Sequence, residues 1–145
     1  MTNVTAASKS LPQPLLADQQ SKAATWFKEL QERIIAAFEE IEGEGTQESE
    51  VRGYFEKKPW NRADLPKSAL SPPKAGSSLE GGGIMALMQG NIFEKVGVNF
   101  SEVYGSFSET FAKEIPGASK SDGQFWASGI SLVAHMSNPH VPAVH

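Results

Sequence analysis

The sequence predicts an α+β fold in which an antiparallel sheet is flanked by helices. One observation behind this is an apolar stripe at helical spacing between residues 18 and 42. The other is a set of later apolar runs that alternate in polarity or are separated by turn residues. With 145 residues and 39% hydrophobic content, the chain can bury one ordinary core, so we expect a single globular domain.

Composition excludes several functional classes. Cysteine is absent from the sequence, which excludes disulfides, thiolate nucleophiles and cysteine zinc sites, so a metal would need nitrogen or oxygen ligands. The net charge of −4 is spread along the chain without a basic stripe, which argues against nucleic acid or an anionic membrane as a partner. With no long apolar run and no secretory signal in the sequence, we expect no membrane span and a cytoplasmic location.

The first segment, residues 1–17, is polar and small apart from three leucines, and Pro12 and Pro14 oppose a helix there. We expect a tail at 1–17 and a domain over 18–145.

A helix is predicted from Asp18 to about Glu42. Its apolar stripe steps by three or four residues through Ala23, Phe27, Leu30, Ile34, Phe38 and Ile41. Asp18 or Ser21 is expected to cap the start, and Gly43 suits the end.

Residues 43–80 show the weakest pattern for regular structure. A short strand is expected around Val51, Tyr54 and Phe55. A long loop is then marked by Pro59, Pro66, Pro72 and Pro73. Loops of this length in compact domains are functional or disordered.

The same stretch carries six of the thirteen basic residues, including Arg52, Lys57, Lys58 and Arg62. A site for a polyanion needs only a few well-placed cations, so acidic ligands are not excluded.

A strand–hairpin–strand unit is predicted after the glycine run at 81–83. Residues 84–88 and 92–101 are apolar or alternating, and Gln-Gly-Asn at 89–91 forms the turn between them. The glycines lack the Lys-Ser/Thr of a phosphate loop. We interpret them as a flexible connector, or as backbone that can lie close against a flat ligand. Residues 107–115 predict a short helix.

The last predicted strand, residues 125–136, has two different faces. The apolar face carries Ile130, Leu132, Ala134 and Met136. The other face carries Ser131 and His135, about 13 Å apart along the strand. That spacing suits a large flat ligand better than a compact catalytic triad. Ser131 lies outside any Gly-x-Ser-x-Gly elbow, so we interpret it as a hydrogen bonder to ligand, not as a nucleophile.

All three histidines, His135, His140 and His145, lie within the last eleven positions. Their five-residue spacing does not stack imidazoles on a helix, and two prolines interrupt a straight strand. A turn at Asn138-Pro139 would bring His145 back toward His135. Three interpretations stay open: a metal site, acid–base groups that titrate near neutrality, or structural residues with His140 exposed.

Four segments together resemble the oxygen-dependent coproporphyrinogen-III oxidases of haem biosynthesis. They are P-W-N-R (59–62), E-G-G-G-I (80–84), N-I-F-E-K-V-G-V-N-F-S (91–101) and F-W-A-S-G-I-S-L-V-A-H-M-S-N-P-H-V-P-A-V-H (125–145). Their order and spacing match over roughly residues 20–145 and correspond to the amino-terminal half of such an enzyme. The resemblance therefore implies about half of a large antiparallel sheet covered by helices, truncated within its active-site motif.

The implied reaction is the oxidative decarboxylation of coproporphyrinogen III to protoporphyrinogen IX, with dioxygen as co-substrate. No organic cofactor is implied, a divalent metal cation is left open, and the full-length enzyme is expected to be a homodimer. By resemblance, Ser131 would contact substrate, His135 would occupy a metal position, and His145 would donate a proton and contact the metal.

Two departures from the family pattern weaken other assignments. The stretch from Ala63 to Leu79 is longer than usual, and Met85-Ala86 stands where many members have Ser-Arg. Arg62 and the glycines are therefore weaker candidates for substrate contacts. Two alternatives stay open: an inactive fragment of the enzyme, and a small histidine metal-binding β-domain such as a cupin.

Overall fold

The computed structural model describes residues 13–48, 50–64 and 78–145, which form a long helix on one face of a four-stranded sheet. The helix α1 spans Gln13–Gly45, and the strands are β1 Glu56–Asn61, β2 Ser78–Met88, β3 Phe93–Ser106 and β4 Gln124–Met136. A one-turn helix α2, Glu109–Ala112, and two 3-10 turns, Arg62–Asp64 and Ala118–Ser121, lie in the connections. This architecture agrees with the predicted α+β class. Residues 1–12 of the predicted tail and 65–77 of the predicted loop lie outside the described residues.

The amino-terminal end of α1 differs from the prediction. The helix begins at Gln13, so the predicted start and the predicted caps at Asp18 and Ser21 are wrong. Pro14 falls in the first turn, where the missing N–H would have no helical acceptor, so it does not block the helix. Asp18 instead pairs with Lys22 one turn later at 2.7 Å on the surface.

The carboxyl-terminal end of α1 runs past Gly43 to Gly45. The guanidinium of Arg52 occupies the space that a side chain at Gly43 would need, and it donates to the carbonyl of Glu39. The absence of a side chain at Gly43 thus lets the guanidinium of Arg52 lie against the helix. The prediction that Gly43 ends the helix is wrong.

The predicted stripe is confirmed in part, since Ile34 and Phe38 pack against the core, but the most buried residues of α1 lie one position later. Its fully buried residues are Ala24, Gln31, Ile35 and Glu42. Ile41 of the predicted stripe is 48% exposed. Two of the buried residues are polar, and a search for apolar periodicity cannot find them.

The sheet is an antiparallel meander in which neighbours in sequence are neighbours in space. The predicted hairpin and the last strand are confirmed, with β2 and β3 longer than expected. The strand expected around Val51 is wrong: Val51 is 89% exposed, and pairing begins at Glu56. Pro59 is tolerated in β1 because this strand is at the sheet edge and one side of it needs no donor.

The glycine run is part of β2 and not a flexible connector. The three glycines pair with Val103, Glu102 and Ser101 of β3. Gly81 has a φ of 113°, and a Cβ there would collide with the carbonyl oxygen of Glu102. Only glycine therefore fits this point of the strand.

The helix predicted at residues 107–115 is reduced to the single turn α2. Ser108 caps it by accepting from the N–H of Phe111 at 3.3 Å. Phe107 instead stacks on Phe125 of β4, with ring centroids 4.4 Å apart. These aromatic contacts fasten the connection to the end of the sheet.

The core lies between α1 and the facing side of the sheet. Its buried residues are Ile35, Ala86, Met88, Phe93, Val96, Val98 and Ala134. Ile130, Leu132 and Met136 of β4 pack against this core, as predicted for that face. The other side of the sheet is left free of α1.

Candidate functional site

The candidate site is the sheet side opposite α1, which we call the open face. Strand register arranges its side chains in four rows across the sheet. The rows are Trp60–Gly83–Ser101–Gly129, then Lys58–Met85–Asn99–Ser131, then Glu56–Leu87–Gly97–Val133, and finally Lys95–His135. Because paired residues share a face in antiparallel sheets, every member of a row points to the same side.

Ser131 and His135 lie on the open face, as the alternation in β4 predicts. Both are exposed, whereas Ala134 between them is fully buried against the core. Val133 stands between Ser131 and His135 on the open face and is 38% exposed. The hydroxyl and the imidazole therefore flank an apolar surface about 13 Å long.

His145 returns to the end of β4. Val144 and Ala134 exchange two backbone hydrogen bonds, of 2.9 and 3.0 Å, in an isolated antiparallel bridge. The ring of His145 then meets the ring of His135 edge to face, with centroids 5.7 Å apart. The return predicted from the turn is confirmed.

The turn that causes this return is built by Asn138. Its side-chain oxygen accepts from the N–H of His140 at 2.9 Å, and its carbonyl accepts from the N–H of Val141 at 3.1 Å. His140 is exposed, as one of the interpretations expected, and it takes no part in the ring pair.

The histidine pair fits part of a divalent metal site. Two imidazoles in edge-to-face contact offer neutral nitrogen donors, the ligand type that a chain without cysteine must use. Within the described residues no third His, Cys, Asp or Glu joins His135 and His145 in a potential metal-binding group. The pair accounts for two ligands at most.

The middle of the open face is mostly uncharged and has few large side chains. Three of its positions are glycine, and a Cβ at Gly129 would meet nothing within 4 Å. Met85, Leu87 and Val133 supply apolar surface around them. A shallow apolar floor of this kind suits the face of a large planar or puckered ring.

Asn99 lies in the same row as Ser131 and was not singled out from the sequence. Its Oδ1 atom is shielded from solvent and has no hydrogen-bond partner among the described residues. An unpaired buried acceptor is costly, so this atom is a candidate to accept a hydrogen bond from a ligand, although Gln31 Oε1 and Arg52 Nε are also unpaired among the described residues. Its place beside Ser131 follows from the register of β3 on β4, which sequence periodicity cannot supply.

Arg62 and the glycines fall at the other end of the sheet from the histidines. Arg62 lies in the 3-10 turn after β1. The indole of Trp60 packs against Gly83, because its Nε1 lies 2.9 Å from where a Cβ at that glycine would be. Trp60 thus borders the floor at its β1 side.

A cleft of about 1580 Å³ lies on the opposite side of the sheet, between the first half of α1 and the ends of β3 and β4. Lys28, Glu102, Tyr104 and Trp126 are among its lining residues. None of the predicted site residues lines it, so it is separate from the open face.

Comparison with known sequences identifies the family. The sequence model described as coproporphyrinogen III oxidase matches residues 22–145. The chain belongs to this family. The resemblance seen in the sequence is thereby confirmed, and the matched range contains the four described strands and all three histidines.

Curated members of the coproporphyrinogen III oxidase family are similar in sequence to this chain. The oxygen-dependent coproporphyrinogen-III oxidase of Rickettsia bellii is 42% identical over 123 residues, which cover 84% of this chain and 38% of the relative. The enzymes of that name from Rickettsia felis and Rickettsia akari are each 44% identical, covering 85% and 84% of this chain and 39% and 38% of their own lengths. The chain thus spans about two fifths of the relatives it matches.

Among the described residues, no helix combines the length and the apolar character needed to cross a membrane.

Proposed function

We propose that the open face is the tetrapyrrole-binding floor of an oxygen-dependent coproporphyrinogen-III oxidase. The observation that carries this is that Ser131 and His135 lie on the same side of β4, with His145 against His135 and apolar side chains of the open face beside them. The names of the relatives support the activity, and the geometry suits a macrocycle laid across strands β2 to β4.

In the proposed reaction, two propionate side chains of coproporphyrinogen III become vinyl groups. Each propionate loses carbon dioxide, two electrons and two protons, one from the carbon next to the ring and one from the carboxyl group, and dioxygen takes up the electrons and protons to become hydrogen peroxide. The electron-rich macrocycle supplies the reactivity, so the protein has to position it, exclude water and manage protons.

Each proposed site residue has a role that follows from its position on the open face. Ser131 binds the substrate by hydrogen bonding, and His145 donates a proton at the end of the floor. If a divalent cation is bound, His135 and His145 hold it, and it would supply positive charge for an anionic group. No organic cofactor is part of this proposal.

Several wider statements belong to the same proposal. The whole enzyme acts as a homodimer in the cytoplasm without a nucleic-acid partner, for which the family and the net charge of −4 are the support. This chain alone binds porphyrin but does not turn over substrate, because it spans only 38% of the relatives' length. An independent histidine metal-binding domain is disfavoured, since the family match includes the histidines.

The binding half of the proposal is tested by titrating this chain with coproporphyrin III and following fluorescence quenching. Ser131→Leu, which places a bulky apolar group on the floor, should weaken binding. Ser128→Leu is the matched control, because this position of β4 faces away from the floor. The hydroxyl of Ser128 donates to the carbonyl of Ser101 at 3.0 Å. No binding by the parent chain, or equal loss in both variants with folding intact, would contradict the proposal.

A turnover assay tests the other half. We expect no protoporphyrinogen from this chain in air, and turnover by it would overturn the statement that the chain alone is inactive.

A further inference from the structure

Two adjacent lysines of β1 point to opposite sides of the sheet. Lys57 faces α1, where it forms an ion pair with Glu32. Because side chains alternate along a strand, Lys58 faces the open side, and it is exposed. Lys57 thus has a carboxylate partner in the fold, and Lys58 forms no ion pair among the described residues.

Lys58 stands at the β1 end of the row that contains Ser131. Between them lie Met85 of β2 and Asn99 of β3. Three strand spacings of about 4.8 Å put the backbone of Lys58 about 14 Å from that of Ser131. This separation is comparable with the width of a tetrapyrrole that carries acidic side chains.

Two lysines and one glutamate lie in the rows of the open face, so its formal charge is slightly positive. Lys58 and Lys95 lie at opposite corners of the floor, and His135 adjoins Lys95 across the strands. Glu56, two residues before Lys58 on the same face, is its nearest carboxylate by register. A face of this kind, on a chain with a net charge of −4, favours a ligand whose acidic groups extend beyond its apolar centre.

We propose that Lys58 binds a propionate carboxylate of the tetrapyrrole while the opposite side of the macrocycle reaches Ser131. This rests on the proposed function and adds the residue that fixes the rotation of the ring on the floor. Met85 is the cross-strand partner of Lys58, so the aliphatic stem of the lysine can cover apolar surface while its charge meets the carboxylate. Lys58 is therefore a positioning residue at the margin of the floor.

The test compares the binding of coproporphyrin III to the parent chain and to three variants by fluorescence quenching. Lys58→Gln should weaken binding about fivefold, the usual scale for one partly exposed ion pair. Lys58→Arg should restore it. Lys57→Gln removes the same charge from the next residue on the other face and should bind like the parent chain.

Salt dependence gives a second readout that a loss of folding would not mimic. Binding to the parent chain and to Lys57→Gln should weaken as salt rises, and binding to Lys58→Gln should be less sensitive to salt. Circular dichroism melts should be alike for all variants, because Lys58 is exposed and the ion pair of Lys57 with Glu32 is at the surface, where such pairs contribute little stability.

The outcomes separate this inference from the proposed function. If the parent chain does not bind coproporphyrin, both fail. If it binds but Lys58→Gln and Lys57→Gln behave alike in affinity and salt dependence, the assignment of Lys58 fails and the floor stands. A fivefold loss confined to Lys58→Gln, with rescue by arginine, supports both.

Discussion

At the scale of single residues, Glu42 links the end of α1 to the β2–β3 turn. Its carboxylate accepts from the backbone N–H groups of Asn91, Ile92 and Phe93 at 2.6, 3.1 and 3.2 Å. The hydroxyl of Thr46 donates to it as well, at 3.2 Å. A side chain that is 0% exposed can carry a charge here because the turn supplies donors.

Replacing this carboxylate tests its contribution to stability. We expect Glu42→Gln to lower the free energy of unfolding by about 2 kcal/mol, since a charged acceptor of several N–H groups becomes a neutral one. Urea denaturation of the variant measures this. Glu40→Gln, at an exposed position two residues away, should change stability very little, and equal effects at both positions would refute the assignment.

The same residue predicts a dependence of stability on pH. Burial by itself raises the pKa of Glu42, but the N–H groups of Asn91, Phe93 and Ile92, with Thr46, outweigh it and hold the pKa below its usual value. A depressed carboxyl pKa stabilises the fold above the unfolded-state pKa, and this stabilisation is lost as the pH falls through the folded-state pKa. Unfolding measured from pH 6 to acid should show the parent chain losing more stability than Glu42→Gln.

Gln31 is a second buried polar residue of α1, and its amide nitrogen is paired while its Oε1 has no partner among the described residues. Its Nε2 donates to the carbonyls of Ile84 at 2.9 Å and Val98 at 2.8 Å, across two strands. Polar residues at the centre of the helix–sheet contact were invisible to an apolar pattern, because their burial depends on partners that are about 50 to 70 residues away in sequence.

At the scale of elements, the glycines of β2 and β4 have different reasons to be glycine. Gly81 combines a positive φ with a close carbonyl, whereas Gly129 faces open space on the floor. We expect Gly81→Ala to destabilise the fold by about 2 kcal/mol or more. Gly129→Ala should leave stability nearly unchanged, and thermal melts of the two variants would show the difference. Equal melts would mean that the strained backbone of Gly81 is not required.

The bridge between Val144 and Ala134 couples the histidines to β4. We expect Co²⁺ or Zn²⁺ to bind weakly to this chain and to shift the NMR signals of His135 and His145 together. His135→Ala and His145→Ala should each abolish the shift, and His140→Ala should not, because His140 lies apart from the pair. Metal binding that persists without His135 would rule out the pair as the ligands.

At the scale of the whole molecule, α1 covers one face of the sheet, and within residues 13–48, 50–64 and 78–145 no helix covers the other. Leu87, Val133 and Met85 form the apolar middle of the open face, and Leu87 and Val133 are 37% and 38% exposed. The long strand β4 also forms a sheet edge, and uncovered edges and apolar faces promote association.

Self-association is therefore expected at high protein concentration. Leu87→Ser combined with Val133→Ser should reduce it, as measured by sedimentation velocity. Val51→Ser removes a more exposed apolar side chain away from the sheet, at 89% exposure, and should have no effect. A parent chain that stays monomeric at all concentrations would contradict this expectation.

Local patterns in the sequence were sufficient for the hairpin, the last strand and its two faces, because alternation and turn residues act between neighbours in the chain. Alternation along β4 placed Ser131 and His135 on one side, and the turn at Asn138-Pro139 predicted the return of His145 to His135. The motifs identified the family, since they need only order and spacing. The predicted helix ends, the strand near Val51 and the glycine connector were wrong.

Those features were decided by contacts between distant segments. Arg52 packs against Gly43, and α1 continues past it. The pairing of β1 with β2 begins only at Glu56. The glycines at 81–83 are part of a strand because they pair with β3. The place of Lys58 in the same row as Ser131 likewise depends on the register of four strands. Register is a property of the assembled sheet, where each hydrogen-bonded ladder depends on the next, so no local stretch of residues contains it.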